Sequence, residues 1–181
     1  MKTLVVVSHP NIEESIVNKR WIEELKKYPE LFTVHEIYKA YPTRIIDVAK
    51  EQALIEAHQC LVLQFPLYWF NCTHLLKKWL DDVFTYGWAY GSTGNKLVNK
   101  KVGLAVSAGI KCEDFSKEGR YLYTLEEILR PFEITMNYVK AAYQNLFVFY
   151  GAEYPENLVP ASLNKSAIDY IHYLTKLSTL N

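Results

Sequence analysis

Nowhere in its 181 residues does the chain run through ~18 apolar residues, the length a membrane-spanning helix needs. Cysteine is scarce. Cys60, Cys72 and Cys112 are odd in number and widely spaced, which argues against a disulfide framework or a zinc site and makes a reducing cytoplasm the expected compartment. Neither sign of charge is in surplus, with 20 Lys and Arg against 20 Asp and Glu, so no net field draws nucleic acid or an anionic membrane. The opening MKTLVVVSHP holds one Lys before the apolar Leu4 to Val7, too short for a signal-peptide core and suited to a buried strand. Repeats, low-complexity tracts and linker-like stretches are absent. What the chain has in plenty is aromatic rings: 14 Tyr, 8 Phe and 4 Trp, or 14% of residues. Flat ligands and aromatic-rich interfaces both use such side chains.

Short apolar runs alternate with helical spacing. Residues 2–8, 32–38, 60–65, 101–107 and 145–150 read as strands. Between them, 15–27 carries Val17, Trp21, Ile22 and Leu25 at helical spacing. Residues 47–58 form a helix with Ala49, Ala53 and Ala57 in register and Asp47 as N-cap. From Thr73 the signal is strongest, with Leu75/Leu76, Trp79/Leu80 and Val83/Phe84 on one face and Lys77, Lys78, Asp81 and Asp82 on the other. Thr124 and Glu127 have capping-box spacing, and Pro131 should interrupt the helix they open. Residues 162–177 close the chain as a helix with Ile168, Ile171, Leu174 and Leu177 on one side. Strands alternating with helices mean a parallel sheet covered on both faces. Five of them predict an α/β, flavodoxin-like three-layer sandwich of order 2-1-3-4-5, one domain over residues 1–181, with ligands at the carboxyl ends of the strands.

Three loops then face the same sheet edge. Ser8-His9-Pro10-Asn11-Ile12-Glu13-Glu14-Ser15 runs into a helix N-terminus, whose free N–H groups and positive dipole end suit a phosphate, or where Ser15 simply caps the helix. Asn18, one turn on, can brace the loop. Gln64-Phe65-Pro66-Leu67-Tyr68-Trp69-Phe70-Asn71 places four aromatics after a buried strand. Pro66 removes a donor and should leave the following N–H groups free for a ligand edge. A flat heteroaromatic fits, and so does a plug at a dimer interface. Ser107-Ala108-Gly109-Ile110 permits close backbone approach. There is no GxGxxG, GxxxxGK[ST] or HExxH, no paired carboxylates and no supported Ser-His-Asp set, so no metal is expected. A phosphate end, an aromatic wall and a backbone edge together fit FMN better than a dinucleotide.

The His9-Pro10…Ser15-x-x-Asn18 loop, the Gln64 to Phe70 run and the helix Leu76-Lys77-x-Trp79-x-Asp81-x-Val83-Phe84 resemble the NAD(P)H:quinone oxidoreductase family of flavodoxin-like flavoproteins. Gly87-Trp88-Ala89-Tyr90-Gly91, with Gly94 after it, is similar to the branch holding the ancillary oxidoreductases of glutathione-gated potassium efflux systems and general stress proteins. The likeness spans roughly residues 2–150 and is specific over 64–91; the last 30 residues match only in pattern.

The resemblance implies non-covalent FMN, a homodimer, and hydride transfer from NADPH or NADH to a quinone. His9, Ser15, Ile16, Val17 and Asn18 would hold the phosphate. Pro66, Leu67, Tyr68, Trp69 and Phe70 would line the ring, and Ser107, Ala108, Gly109 and Ile110 would meet its other edge. The family's Thr-Thr-Gly-Gly is replaced here by Ser107 to Ile110. Its catalytic Tyr and His align with Phe115 and Tyr121, which leaves Tyr121 as the catalytic candidate. The flavin would sit near a dimer interface built with Trp69, Phe70, Tyr86, Trp88 and Tyr90. A regulatory subunit of a potassium efflux antiporter, peripheral at the inner face of the cell membrane, is the competing expectation. An acidic electron carrier is disfavoured by the zero net charge.

Overall fold

The computed structural model describes residues 2–179. Its strands β1 (Thr3–Val7), β2 (Phe32–Glu36), β3 (Cys60–Pro66) and β4 (Lys101–Ser107) are all parallel. The last strand is two pieces, β5 (Ala142–Tyr143) and β6 (Phe147–Phe149), both parallel to β4. The order β2-β1-β3-β4-β5, with β6 also on β4, is the flavodoxin-like order expected, made of six segments rather than five strands.

The break has a local cause. Opposite Gly103 and Leu104 the last strand carries Gln144, Asn145 and Leu146, one residue too many for an even ladder. A Cβ on Gly103 would lie 2.2 Å from the Tyr173 hydroxyl. That hydroxyl fills the space and donates to the Asn145 carbonyl at 2.8 Å, satisfying a backbone group the bulge leaves over.

Alternate strand residues face opposite layers. Val5, Val7, Val62 and Ala105 pack on α1 (Ile16–Leu25) and α7 (Pro160–Thr179). There Trp21 and Tyr170 are fully buried with ring centroids 5.0 Å apart, and Phe147 stacks on Tyr170 at 4.9 Å. Rings of this size each remove about 150–250 Å² from water, roughly 4–6 kcal/mol of transfer energy before entropy is counted. Leu4, Val6, Leu61, Leu63, Phe65, Val102, Leu104 and Val106 face the other layer. It comprises α2 (Ile37–Ala40), α3 (Val48–Glu56), α4 (His74–Val83), α5 (Leu125–Ile128) and α6 (Arg130–Tyr138). The inward faces of α1 and α4 are those expected, and Lys77–Asp81 and Lys78–Asp82 pair at 2.5 and 2.6 Å on the outside of α4. The capping box of Thr124 and Glu127 forms, and the helix breaks at Leu129 before Pro131.

Two helical faces differ from expectation. On α3 the Ala49, Ala53 and Ala57 stripe is exposed, and the buried side chains are Ile55 and the carboxylate of Glu51. Glu51 accepts from Tyr41 at 2.5 Å, Trp79 Nε1 at 2.8 Å and His35 Nε2 at 2.8 Å. Those donors let a charge occupy an inward position that apolar patterning assigns elsewhere. On α7 Ala167, Tyr170, Leu174 and Leu177 face inward while Ile168 is half exposed, because the aromatic stack with Phe147 sets the helix rotation.

Candidate active site

Ser8 leaves β1 buried, its hydroxyl 2.5 Å from that of Thr73 and its N–H donating to the Gln64 carbonyl. The chain makes one 3-10 turn at Ile12–Glu14 and enters α1 at Ser15, whose Oγ accepts the Asn18 N–H at 3.1 Å. That cap serves the third helical residue. It leaves the Ile16 and Val17 N–H groups at the positive end of α1 without an intrahelical partner. His9 Nδ1 accepts the Asn11 N–H at 3.2 Å, so the neutral ring carries its proton on Nε2. Burial holds the His9 imidazole below its ordinary pKa.

Asn18 does brace the loop. It is buried, donates Nδ2 to Ser107 Oγ at 2.8 Å and accepts Gln64 Nε2 on Oδ1 at 3.2 Å. Gln64 Oε1 in turn accepts the Tyr170 hydroxyl at 3.3 Å. One polar chain therefore joins the first and third loops through the centre of the sheet. Its amide and hydroxyl groups are spent on one another.

The second loop departs from expectation. The Leu67 N–H donates to the Ser107 carbonyl and the Tyr68 N–H to the Asn71 carbonyl, both at 2.8 Å, so neither is free. The strand ladder and a tight turn claim them. Asn71 N–H returns to the Tyr68 carbonyl, closing a two-residue turn over Trp69 and Phe70. Those two residues have φ of 48° and 59°, a left-handed backbone that costs bulky side chains about 1–3 kcal/mol each. The turn lifts Trp69 almost wholly into solvent, 94% exposed, and among the described residues its N–H and that of Phe70 have no acceptor.

In the third loop Ala108 is fully buried and donates its N–H to Phe149. The Gly109 and Ile110 N–H groups carry no hydrogen bond among the described residues. Ile110 is not one of the left-handed residues, so this backbone does not need glycine there. A Cβ on Gly109 would lie 2.4 Å from the carboxylate of the exposed Glu153, so a larger residue there would push that side chain aside. Glu153 arrives on a segment after β6 that continues the pairing, with Gly151, Ala152 and Glu153 donating to Ile110, Ala108 and Gly109. Gly151 starts that segment at φ +72°.

A cleft of about 320 Å³ opens where these loops meet. His9, Ser15, Ile16, Val17 and Asn18 form one side of it, Pro66, Leu67 and Tyr68 the next, and Ser107 and Gly109 the floor. Trp69, Phe70, Ala108, Ile110 and Tyr121 stand outside its lining. Tyr121 packs edge-on against Phe70 at 4.9 Å and lies 5.5 Å from Phe115, which is buried. Trp88 belongs to the core, not to an outer surface: it is buried and donates Nε1 to Glu56 at 2.7 Å. Cys72 is no nucleophile, because burial pushes its thiol up to about 11. Sequence reasoning missed Asn11, Glu14, Ala152 and Glu153 in the lining. A glycine and a carboxylate directly after the last strand, the same sheet edge as the other loops, were the signal for Glu153.

Open N–H groups at the start of α1, the Pro66 to Tyr68 side and the Gly109 backbone thus share one cleft in a doubly wound sheet, and residues 1–174 match the model of the flavodoxin-like fold family. The chain belongs to that family. Among its relatives is the uncharacterized NAD(P)H oxidoreductase YrkL of Bacillus subtilis, 48% identical over 151 residues, 83% of this chain and 86% of YrkL. KefG of Cronobacter sakazakii, an ancillary protein of a glutathione-regulated potassium-efflux system, is 35% identical over 151 residues, 83% of this chain and 82% of KefG. The crystal structure of general stress protein 14 from Treponema denticola, in complex with FMN, superposes with a TM-score of 0.92 at 47% identity, covering 98% of this chain and 99% of that one.

Proposed function

We propose that this chain is an FMN-dependent NAD(P)H oxidoreductase that reduces quinones, with residues 1–181 acting as one FMN-binding domain. The observation that carries the reading is the cleft at the ends of β1, β3 and β4, in a chain 47% identical to an FMN-bound protein of the same fold. The residues fit the cofactor. Unspent N–H groups of Ile16 and Val17, with Ser15 and His9 Nε2, would hold its phosphate while Asn18 braces them. Pro66, Leu67 and Tyr68 would flank the ring on one side, and the raised turn of Trp69 and Phe70 would close over it.

When bound, FMN supplies two-electron hydride chemistry between NADPH or NADH and a quinone, the two substrates using one face in turn in ping-pong order. The protein's part is orientation and electrostatics. The Gly109 N–H, at the cleft, and that of Ile110 beside it would offer fixed donors to the cofactor's edge, with no reorganisation needed. Tyr121 is the residue assigned to proton handling, its ring fixed by Phe70 and Phe115. Trp69 offers an exposed indole on which a flat acceptor stacks.

The purified protein should bind one FMN per chain, bleach on anaerobic addition of NADPH, and recover its colour on adding a soluble quinone. Failure of the folded protein to bind FMN would end this reading. A homodimer is part of it: a groove of about 430 Å³ lies between α4 and α6, lined in part by the exposed Tyr138. Sedimentation at twice the chain mass checks that. The likeness to KefG favours a second role, a cytoplasmic subunit seated peripherally on a membrane potassium-efflux protein. No helix among the described residues is long and apolar enough to cross a membrane. Co-purification with such an antiporter, lost when the antiporter is deleted, distinguishes the two.

A further inference from the structure

We propose that Arg120 anchors the diphosphate of the nicotinamide dinucleotide, holding the hydride donor beside the cleft by a bidentate guanidinium contact. The inference rests on the oxidoreductase reading and deepens it, by naming what grips the donor's charged middle. Charge poses the problem. No Lys or Arg lines the cleft, while the carboxylates of Glu14 and Glu153 do. A donor carrying a diphosphate therefore approaches against two negative charges. The cation that draws it in has to come from outside the lining.

The segment after the third loop holds three cations, and two of them are engaged. Lys111 lies 3.8 Å from the Glu156 carboxylate and 4.5 Å from the ring centre of Tyr154. Lys117 acts on Glu127, whose carboxyl is held below its ordinary value first by the Thr124 N–H and then by charges that include the Lys117 ammonium. Arg120 is exposed, and among the described residues its guanidinium makes no ion pair. It lies over the Tyr121 ring, 5.6 Å from the ring centre.

The backbone fixes that position. Tyr121 donates its N–H to the Asp114 carbonyl at 3.1 Å, Gly119 to Ser116 at 3.2 Å and Leu122 to Gly119 at 3.3 Å, so turns close on either side of Arg120. Gly119 permits the closure, since a Cβ there would lie 2.3 Å from the Glu113 carbonyl oxygen. Phe70 and the buried Phe115 hold the Tyr121 ring at 4.9 and 5.5 Å. A guanidinium resting on an aromatic ring sheds water without being neutralised, and its planar fork stays free for a phosphate.

Only the Tyr121 ring separates Arg120 from Phe70 and the raised turn at the cleft. In a nicotinamide dinucleotide the diphosphate is the anion next to the reacting half, and the 2′-phosphate of NADPH sits on the far ribose. The diphosphate, which NADH and NADPH share, is therefore the group within reach. Arg120 favours both donors alike and does not choose between them.

The test uses the FMN-loaded protein as wild type, Arg120→Gln and Arg120→Lys. Calorimetry measures binding of NADP+ and NAD+. At ~0.01 M salt, where screening extends ~30 Å, Arg120→Gln should bind both about tenfold more weakly, the scale of a charge-assisted contact. Arg120→Lys should fall between, because an ammonium keeps the charge and loses the fork. The wild-type advantage should shrink at ~1 M salt, where screening falls to ~3 Å. In stopped-flow reduction of the flavin, Arg120→Gln should raise the half-saturating concentration of NADPH and of NADH about tenfold and leave the limiting rate in place, the mark of lost uniform binding. With 1-benzyl-1,4-dihydronicotinamide, a donor without phosphate, the wild-type advantage should vanish. A loss confined to NADP+ and NADPH overturns the diphosphate assignment in favour of the 2′-phosphate. Equal affinity of wild type and Arg120→Gln for both dinucleotides, or an equal loss with the benzyl donor, overturns the role of Arg120 and leaves the oxidoreductase reading intact. Failure of the wild-type flavin to accept electrons from any of these donors instead overturns the reading beneath it.

Discussion

Asn18 donates its side-chain amide to the Ser107 hydroxyl at 2.8 Å, and its side-chain oxygen accepts from Gln64 at 3.2 Å. One buried residue of α1 thus ties together the strand ends that carry the second and third loops. Asn18→Ala takes the donor from the buried Ser107 hydroxyl and leaves the Gln64 amide only the backbone carbonyl at position 18. Unsatisfied groups of this kind cost about 1–3 kcal/mol. The urea midpoint should fall accordingly, and FMN affinity should weaken with it. A variant as stable as the wild type would show that water replaces the amide without loss.

Trp69 and Phe70 hold a left-handed turn that glycine adopts freely. Trp69→Gly is expected to raise stability by about 1 kcal/mol, the lower end of the strain such residues store, while lowering the rate of quinone reduction. Denaturation curves and steady-state turnover read the two effects separately. If stability falls instead, the indole makes contacts that outweigh the strain.

Tyr121→Phe removes a hydroxyl without disturbing the ring contacts with Phe70 and Phe115. Stopped-flow reduction by NADPH under anaerobic conditions should slow about tenfold, near 1.4 kcal/mol, with FMN affinity almost unchanged. An unaltered rate would leave backbone donation from Gly109 and Ile110 as the chain's whole contribution to the step.

Glu51 is the fourth case. Burial raises its pKa, but bonds from His35, Tyr41 and Trp79 outweigh that and hold the carboxyl below the usual range. A lowered folded value means stabilisation that is present above the unfolded value and lost as pH falls through the folded one. Glu51→Gln should therefore cost about 2 kcal/mol at neutral pH, the scale of hydrogen bonds to a charged group. The gap should close in acid, below the ordinary carboxylate value of 4.5. Paired thermal melts across that range measure it.

The sheet order, the helices and the three loops were legible because each rests on local signals: β-branched runs, i,i+4 repeats, a capping box at Thr124 and Glu127. What escaped was set by tertiary partners. Nothing near Ala49 reveals that Glu51 turns inward, since its donors come from β2, the segment after α2 and α4. The N–H groups of Leu67 and Tyr68 looked free because their acceptors, Ser107 and Asn71, depend on register and on a turn that Trp and Phe rarely form. Glu153 went unseen as part of the site because only the fold carries it back to Gly109.

The extra residue between β5 and β6 also bears on how copies of the chain behave when crowded. The last strand is a sheet edge, and an unbroken edge offers a ladder of open N–H and C=O groups to any other exposed strand. Here that ladder is interrupted at Asn145, whose carbonyl is already claimed by Tyr173, so the two short pieces give an intruding strand no continuous register to extend. A chain so rich in aromatic rings carries, at this edge, its own guard against intermolecular sheet growth.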